Sequence, residues 1–392
     1  SNSMTVRVSK PEFNLREKIS ELDKPTGLKG SELMRSETPQ EARDSIGLGP
    51  SRKNLFINGD MRIDQRSNGA VSTPASTGFS SVDRWKAVIY PYSRFSMQRK
   101  NDASLPHFPF YMRLTTTTAT TLGSSQYQLF WQTIESKNIF DRTGFGSGKN
   151  AKDLSLSFWV RSSVPGPFSG SLENYDQNRA FVWEVDIKNK DTWEHKTVHI
   201  PPCTDGNWDI SASNKGAYFM FSLGTTLGSE ANVGWVAAQR LGSSTDVRRI
   251  GIQGCTVDIT GCQLEIGRVA TEFNHTSFTE ELSLCERYYQ NSFIEGNTPG
   301  TSTAMGDAVI TTSWGDGNAP GPNPFRTAMR TAPAVVLRAR GSTTTGQVNH
   351  NGSNVTASAQ QIGSKGIAYI ETGSGASAGA YNAFTFELDA EI

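Results

Sequence analysis

The sequence predicts a mainly β protein: short N-terminal helices, a large jelly-roll-like β-sandwich, a connecting helix and a small C-terminal β-sandwich tip. Three observations predict it. Segments in which apolar and polar residues alternate recur through the middle of the chain, and that is the period of a half-buried strand. Gly-, Asn- and Asp-rich stretches such as "GSGKN", "KNKD" and "TDGN" separate them, and no helical period intervenes, which favours stacked sheets over an α/β arrangement. Apolar residues make up 36 % of the 392, with 37 glycines, a balance low for a compact enzyme and ordinary for β structure with long polar turns.

Residues 1–53 read as an elongated leader. In "PEFNLREKISELDKP" Asn14 is a helix cap, Glu17 closes a capping box, Leu15, Ile19 and Leu22 share one face, and Pro25 ends the helix. In "SETPQEARDSIGLGP" Thr38 is the cap, Pro39 takes the first helical position, Glu41 closes the box and Gly47 terminates. Two such helices carry too little apolar surface to make a core alone. Their stripes want a partner, and copies of the same chain are the simplest one; a flexible leader is the other reading.

Residues 54–275 form the large β domain. "LSLSFWV" puts Leu154, Leu156, Phe158 and Val160 on one face; "FVWEVDI" groups Trp183, Val185 and Ile187; "AYFMFSL" groups Phe219, Phe221 and Leu223. "TVDITGCQLEI" gives Val257 and Ile259, then Leu264 and Ile266, with Gly261 as a bulge between them. The domain opens on "NLFINGD", a buried-strand pattern that breaks at Asn58-Gly59-Asp60. Over 276–291, "SFTEELSLCERYYQ" is a helix capped by Ser277, with Phe278, Leu282, Cys285 and Tyr289 on its apolar face. Residues 292–392 are the tip. Its clearest strand, "NAFTFELDAEI", sends Phe384, Phe386, Leu388, Ala390 and Ile392 to one side. "APAVVLRAR" is another strand, and "GSTTTGQVNHNGSNVTASAQQ" reads as a long loop.

A formal net charge of zero recommends neither nucleic acid nor an anionic membrane as partner. No apolar run approaches the roughly 20 residues of a membrane-inserted helix. Cys203, Cys255, Cys262 and Cys285 lack paired metal-ligand spacing and read as free core residues. No cofactor motif survives scrutiny. "GFGSGKN" has three residues where a phosphate loop has four, and Asn150 stands where Ser or Thr would follow the lysine; it reads as a hairpin turn. "GASAG" matches a nucleophile elbow at Ser377, but no histidine follows His350. His195 and His199 fall on one face of a strand, too few ligands for a metal centre. Asp83 and Arg84 read as a salt bridge beside Trp85.

Several stretches carry a family likeness. "VSKPEFNLREKISELDKPTG", "RKNLFINGDMRIDQRSNG" with "VDRW", "SLSFWVRSS", "TGCQLEIGRVATEF", "EELSLCERYYQ" and "FRTAMRTAPAVV" with "ELDAEI" resemble, in the same order, the tail fibres and adsorption appendages of bacteriophages, most of all those of cyanophages. The resemblance implies a homotrimeric virion appendage. Its N-terminal part would attach to other tail or baseplate proteins, and its C-terminal part would face host glycan or an outer-membrane protein. "NLxxNGD" also resembles the first strand of carbohydrate-binding jelly rolls, where such a turn joins a late acidic pair to hold calcium. Here Thr260 and Gly261 occupy the place of that pair, flanked only by Asp258 and Glu265. Calcium takes about six to eight oxygens, so Asn58-Gly59-Asp60 is expected to be a structural turn.

A receptor-binding, non-enzymatic fibre is therefore the expectation. A virion-borne polysaccharide hydrolase and a purely structural connector are the alternatives. Sugar recognition uses aromatic faces and planar polar side chains. Trp314 in "TTSWGDGNAPGPNP" is the first candidate, with packing between the two β domains as its other reading. Tyr92 in "YPYSR" and the loop residues Asn349, His350 and Asn351 follow. Trp85, Trp159, Trp183, Trp193 and Trp235 lie in or beside strands and are assigned to the core.

Overall fold

Alternation inside the strands decides the architecture: one side of each strand is apolar enough to need a second layer. The structure, a computed structural model, describes residues 52–392 apart from 103–104, 209–214, 231–232, 294–295, 302–308, 313, 315–317 and 374–378. The two leader helices lie outside the described residues. A six-stranded antiparallel sheet runs in the order β1 (Lys86–Tyr90), β4 (Tyr127–Glu135), β9 (Lys215–Thr225), β6 (Gly166–Asn174), β7 (Ala180–Ile187) and β11 (Gly234–Val236). A five-stranded antiparallel sheet runs β2 (Phe95–Lys100), β3 (Tyr111–Thr116), β13 (Thr256–Ile266), β5 (Leu154–Ser162) and β8 (Glu194–Ile200). The short parallel pair β10 (Ser229–Glu230) and β12 (Gly242–Ser243) accompanies the six-stranded sheet.

The core between the sheets holds the residues expected of it. Leu154, Leu156, Phe158 and Val160 from β5 meet Phe219, Phe221 and Leu223 from β9 and Phe181, Trp183 and Ile187 from β7. The bulge in β13 also appears: pairing with β5 shifts between Thr260 and Gln263, so Val257 and Ile259 before it and Cys262 and Leu264 after it all face inward. All four cysteines are free and buried. Of the tryptophans assigned to the core, Trp85 and Trp183 belong there. Trp159 and Trp193 are half-buried on the outer side of the five-stranded sheet, and Trp235 packs half-buried against the core's edge. Trp159 alternates with the inward-facing Phe158 and Val160, so β5 turns it outward, and Trp193 precedes β8 and lies edge to face against Tyr111. Trp208, outside any strand, is buried instead.

Three local expectations change. Helix α1 (Ser136–Thr143) interrupts the strands after β4. No side chain caps its N-terminus, so it carries no sequence signature. It ends on Gly144 in the left-handed region at φ 65°, so "GFGSGKN" is a helix C-cap followed by a 3-10 turn over Gly148–Asn150, not a hairpin. It follows a helix, whereas a phosphate loop follows a strand. Leu55–Ile57 is not a ladder strand either. Asn54 Oδ1 accepts from the amides of Phe56 and Leu264, and Gln132 both donates to and accepts from the Ile57 backbone. Side chains replace the missing strand neighbour, leaving Leu55 and Phe56 free to enter the main core and Ile57 a second one.

Helix α2 (Phe278–Glu286) is capped as expected, the Ser277 hydroxyl accepting from the Glu280 amide. The tip follows as one continuous eight-stranded sheet among the described residues. Its strands are β14 (Tyr289–Asn291), β15 (Val309–Thr312), β16 (Ala319–Pro320), β17 (Ala334–Ala339), β18 (Gln347–His350), β19 (Ser353–Ile362), β20 (Ile367–Thr372) and β21 (Tyr381–Asp389). β21 lies at its centre, pairing β14 and β15 along one edge and β17 and β18 along the other. Ile367 and Ile370 of β20 share a core with Phe384 and Leu388 of β21, so the sheet closes over itself in sandwich fashion. The expected long loop is a hairpin: β18 and β19 pair from His350↔Ser353, and Asn351 and Gly352 both take positive φ, 48° and 91°. That is the two-residue turn that Asn-Gly favours.

Residues 52–392 pack as one unit. Ile392 joins Ile57, Ile63, Cys285 and Tyr288 in a small core between tip and sandwich. Asp83 and Arg84 do not pair with each other. Asp83 meets Arg66 at 3.6 Å, while Arg84 is bonded to Glu391 and lies 3.5 Å over the Tyr288 ring. Arg66 reaches Asp389 and Glu391, each at 3.3 Å. Burial pushes the Asp83 carboxyl up to about 6, with Arg66 opposing.

Candidate functional site

The outer face of the six-stranded sheet gathers aromatic rings. Ala87 and Ile89 of β1 point into the core, so Lys86, Val88 and Tyr90 point out. The register carries that face across the sheet: Lys86↔Trp131, Val88↔Leu129 and Tyr90↔Tyr127, then Trp131↔Met220 and Thr133↔Tyr218, then Tyr218↔Glu173. Val88, Leu129, Met220 and Leu241 form an apolar floor near the middle. At one end Tyr90 and Tyr92 meet edge to face at 6.4 Å, 49 % and 52 % exposed. At the other, the Tyr218 ring lies 4.6 Å from Trp131 and 6.0 Å from Tyr175. Trp131 is only 7 % exposed; it backs the half-buried rings of Tyr218 and Tyr175. From Lys86 to Tyr90 the strand alone spans about 13 Å, with Val88 buried between them.

Cations edge this platform. The Lys86 ammonium stands 5.1 Å from the Trp131 ring and 5.3 Å from that of Phe79, and Lys215 stands 5.6 Å from Tyr175. Burial draws the Lys86 pKa down to about 8. Across from Tyr218, Glu173 is buried; its Oε1 accepts from the Arg240 amide at 2.7 Å. Burial raises its carboxyl to about 8, so at neutral pH it is mostly the uncharged acid.

The tip presents a second aromatic surface. Trp314, 47 % exposed, has its ring 6.2 Å from that of Tyr369. Thr312 of β15 pairs with Tyr381, and the Asn351 amide donates to the Tyr381 carbonyl. Trp314 therefore lies at the same end of the tip sheet as the β18–β19 hairpin, with the exposed Tyr381 between them. The hairpin residues divide. Asn351 is an exposed turn residue. Asn349 spends its side chain on Asn354 and the Gly352 amide, both at 3.1 Å. His350 is buried, its Nδ1 3.0 Å from Asn382 Oδ1. Tyr92, on the sandwich, does not join this group.

Two other places offer less. A cleft of about 160 Å³ lies where α2 meets the sandwich and the tip, lined by Arg62, Arg99 and Arg326 together with Asp64, Glu286 and Phe278. Its arginines already face acids: Arg62 meets Asp60 at 2.7 Å, Arg99 meets Asp64 at 3.7 Å and Arg326 meets Glu286 at 2.8 Å. His195 lies against Trp159, and His199 Nε2 is 2.5 Å from Asp153 Oδ1. Among the described residues no group of three or more His, Cys, Asp or Glu side chains is arranged to hold a metal ion, and no helix is long and apolar enough to cross a membrane.

The Asn58-Gly59-Asp60 segment is a structural turn. Asn58 is buried at φ 58°. Its Nδ2 donates to the carbonyls of Ile63 (2.8 Å) and Asp83 (3.0 Å), and its Oδ1 accepts from the Ile63 amide (3.0 Å). Its carbonyl accepts from Trp85 Nε1 at 3.0 Å, and its amide donates to Glu281. Gly59 lies so close to the β13 bulge that a Cβ there would collide with the Cys262 carbonyl, and the Cys262 amide donates to the Gly59 carbonyl. The acids that flank the expected calcium position are engaged: Asp258 is clamped by Arg113 and Arg161, both at 2.8 Å, and Glu265 accepts from Thr271.

No protein-family model matches the chain, and no curated protein matches it. Among solved structures it is similar to the enzymatically active domain of tailspike protein 4 of bacteriophage CBA120, at 14 % identity and a TM-score of 0.32. That match covers 56 % of this chain and 22 % of the tailspike chain, so this protein spans about a fifth of that one's length. It is similar to a carbohydrate-binding module, CBM4, at 13 % identity and a TM-score of 0.28, over 54 % of this chain and 98 % of the other. It is also similar to the family 11 carbohydrate-binding module of the cellulosomal cellulase Lic26A-Cel5E of Clostridium thermocellum. There the identity is 10 % and the TM-score 0.25, over 52 % of this chain and 99 % of the module.

Proposed function

We propose that this chain is a glycan-binding adsorption protein of a bacteriophage virion, a homotrimeric tail fibre of the kind cyanophages carry. It holds the host by surface polysaccharide or an outer-membrane component and attaches to other tail or baseplate proteins through its N-terminal region. It binds without cleaving. The observation that supports the reading is the outer face of the six-stranded sheet, where Tyr90 and Tyr92 offer rings at one end and Tyr175 and Tyr218 at the other, with Val88, Leu129 and Met220 buried between them. Aromatic faces with polar neighbours are what sugar rings stack on. A second pair of rings at the tip, Trp314 and Tyr369, gives each chain another place to grip. Weak single sites suffice, because several chains and several fibres raise avidity without new contacts.

The test uses the full chain, since removing the tip would strip Glu391 from buried Arg84. Purified protein is added to host cells, bound protein and virus attachment are counted, and released reducing ends are assayed. Parent protein is expected to bind and to block attachment without releasing sugar. A Tyr90→Ala/Tyr92→Ala variant is expected to lose most of the binding, and Trp314→Ala a smaller part. If Trp314→Ala alone abolishes binding, the tip is the site. Reducing ends released from host glycan overturn the non-enzymatic reading. A folded protein that binds nothing overturns the adsorption role.

A further inference from the structure

We propose that the cleft where α2 meets the sandwich and the tip is a pocket for a single uncharged sugar ring, the end or a branch of a host glycan, seated against Phe278 among Arg62, Arg99 and Arg326. The inference rests on the glycan-binding reading and adds a second kind of grip, on a chain end.

Three observations meet here. First, the size is that of one ring. The cleft holds about 160 Å³, whereas pockets for drug-sized ligands run to about 300–1,000 Å³, so an oligomer does not fit. Second, α2 leaves its apolar face incomplete at this end. Cys285 is buried and Leu282 packs partly against the small core of Ile57 and Ile63. Phe278, one turn earlier, lines the cleft and stays 44 % exposed. The C–H face of a sugar ring is what such an aromatic surface covers. Third, the polar groups are fixed and their charges are matched. Arg62 meets Asp60 at 2.7 Å and donates to the Thr276 carbonyl at 2.9 Å. Arg326 meets Glu286 at 2.8 Å and donates to the Asn291 carbonyl at 2.7 Å. Arg99 donates to the Arg62 carbonyl at 2.6 Å and faces Asp64 at 3.7 Å. A guanidinium has five N–H donors, so each keeps some for a ligand although its charge is already met. An arriving anion would have to compete with those carboxylates. A hydroxyl does not: it accepts from a guanidinium and donates to a carboxylate, and groups already held in place lose little freedom on binding. Sandwich, α2 and tip all line the cleft, so a ligand there ties them together and raises the melting temperature.

The experiment uses the full chain with glucose, galactose, mannose, N-acetylglucosamine and galacturonate, read by saturation-transfer NMR and by melting temperature at low and high salt. The proteins are the parent, Phe278→Ala, Arg326→Gln and the Tyr90→Ala/Tyr92→Ala variant, each checked for the parent's melting temperature without ligand. Phe278 is 44 % exposed and the Arg326 side chain 53 %, so the fold should tolerate both changes. At least one neutral sugar is expected to bind and to raise the melting temperature, with salt making little difference and galacturonate held no tighter than galactose. Phe278→Ala and Arg326→Gln should each weaken binding about tenfold, and the tyrosine variant should match the parent. Galacturonate held tenfold tighter than galactose, or binding lost at high salt, overturns the uncharged ligand. Sugar binding that survives both cleft variants and fails in the tyrosine variant overturns the cleft and leaves glycan binding standing. No binding of any sugar by a parent protein that still adsorbs to host cells overturns the pocket alone; a parent that binds neither sugars nor cells overturns both readings.

Discussion

Replacing Asn58 by alanine tests what the Asn-Gly-Asp turn is for. The side chain makes three buried hydrogen bonds, two donated to the Ile63 and Asp83 carbonyls and one accepted from the Ile63 amide. Alanine leaves the Ile63 amide and the Asp83 carbonyl without their Asn58 partner in a site water does not reach, while the Ile63 carbonyl still accepts from the Asp83 amide. At about 1 kcal/mol or more for each stranded group, the loss is about 2–3 kcal/mol. A non-glycine residue held at φ 58° costs about 1 kcal/mol more once the side chain no longer bonds locally. The total, about 3–4 kcal/mol, is a large part of a typical domain's stability. Glycine at the same position loses the hydrogen bonds but not the backbone fit, so Asn58→Gly should fall about 1 kcal/mol short of that loss. Urea unfolding followed by tryptophan fluorescence reads this directly, because Trp85 Nε1 donates to the Asn58 carbonyl. The comparison is repeated with calcium and with a chelator. A structural turn predicts the same midpoint in both; a ligand that binds only the native state would raise it. A loss under about 1 kcal/mol for Asn58→Ala, or a calcium-dependent midpoint that the substitution abolishes, refutes the reasoning.

Three further outcomes are expected. Gly59→Ala should prevent recovery of soluble protein or cost more than Asn58→Ala, since its Cβ meets the backbone carbonyl of Cys262 and not a movable side chain; a melting temperature near the parent's would refute it. Glu173 has a folded pKa near 8, raised by burial from 4.5. Its stabilising share is therefore complete below about pH 4.5 and lost as pH climbs through 8. Glu173→Gln should flatten the stability profile across that window, and parallel profiles for parent and variant would count against it. Glu391→Gln leaves Arg84 buried without its counter-charge and should cost about 3–5 kcal/mol, with Arg84→Met in the same chain recovering part of it; additive losses in calorimetry would mean that the two do not act as a pair.

Much of the fold was legible because strand periodicity survives in the core. "LSLSFWV" and "AYFMFSL" bury the residues their alternation marks, and the bulge at Gly261 could be read where that alternation changes phase. What escaped notice had a local cause. Helix α1 begins at Ser136, after an N-cap Glu135 whose side chain makes no capping bond. Leu55–Ile57 looks like a strand because its residues are buried, yet its backbone is satisfied by the adjoining Asn54 side chain and, from positions distant in sequence, by the Gln132 side chain and the Leu264 carbonyl. The β18–β19 hairpin hides in a polar, Thr- and Ser-rich stretch, although Asn351-Gly352 was a turn signal in plain view.

The candidate site was harder to read, for a reason built into sheets. A strand with one face in the core advertises that face, and the residues between are read as solvent-facing filler. Tyr218 and Met220 alternate with Phe219 and Phe221, and Lys86 and Tyr90 flank Ala87 and Ile89. Only the register shows that these alternates line up, β1 against β4 against β9. Trp314 is a tryptophan among loop residues, and it is exposed, with the Tyr369 ring 6.2 Å away. The sandwich face spreads its rings over several strands, Tyr90 and Tyr127 at one end and Tyr218 and Tyr175 at the other, with Leu129 and Met220 buried between them. On the proposed glycan-binding role, the two ring groups are separate places to hold a polymer, so substitutions at one should leave the share contributed by the other.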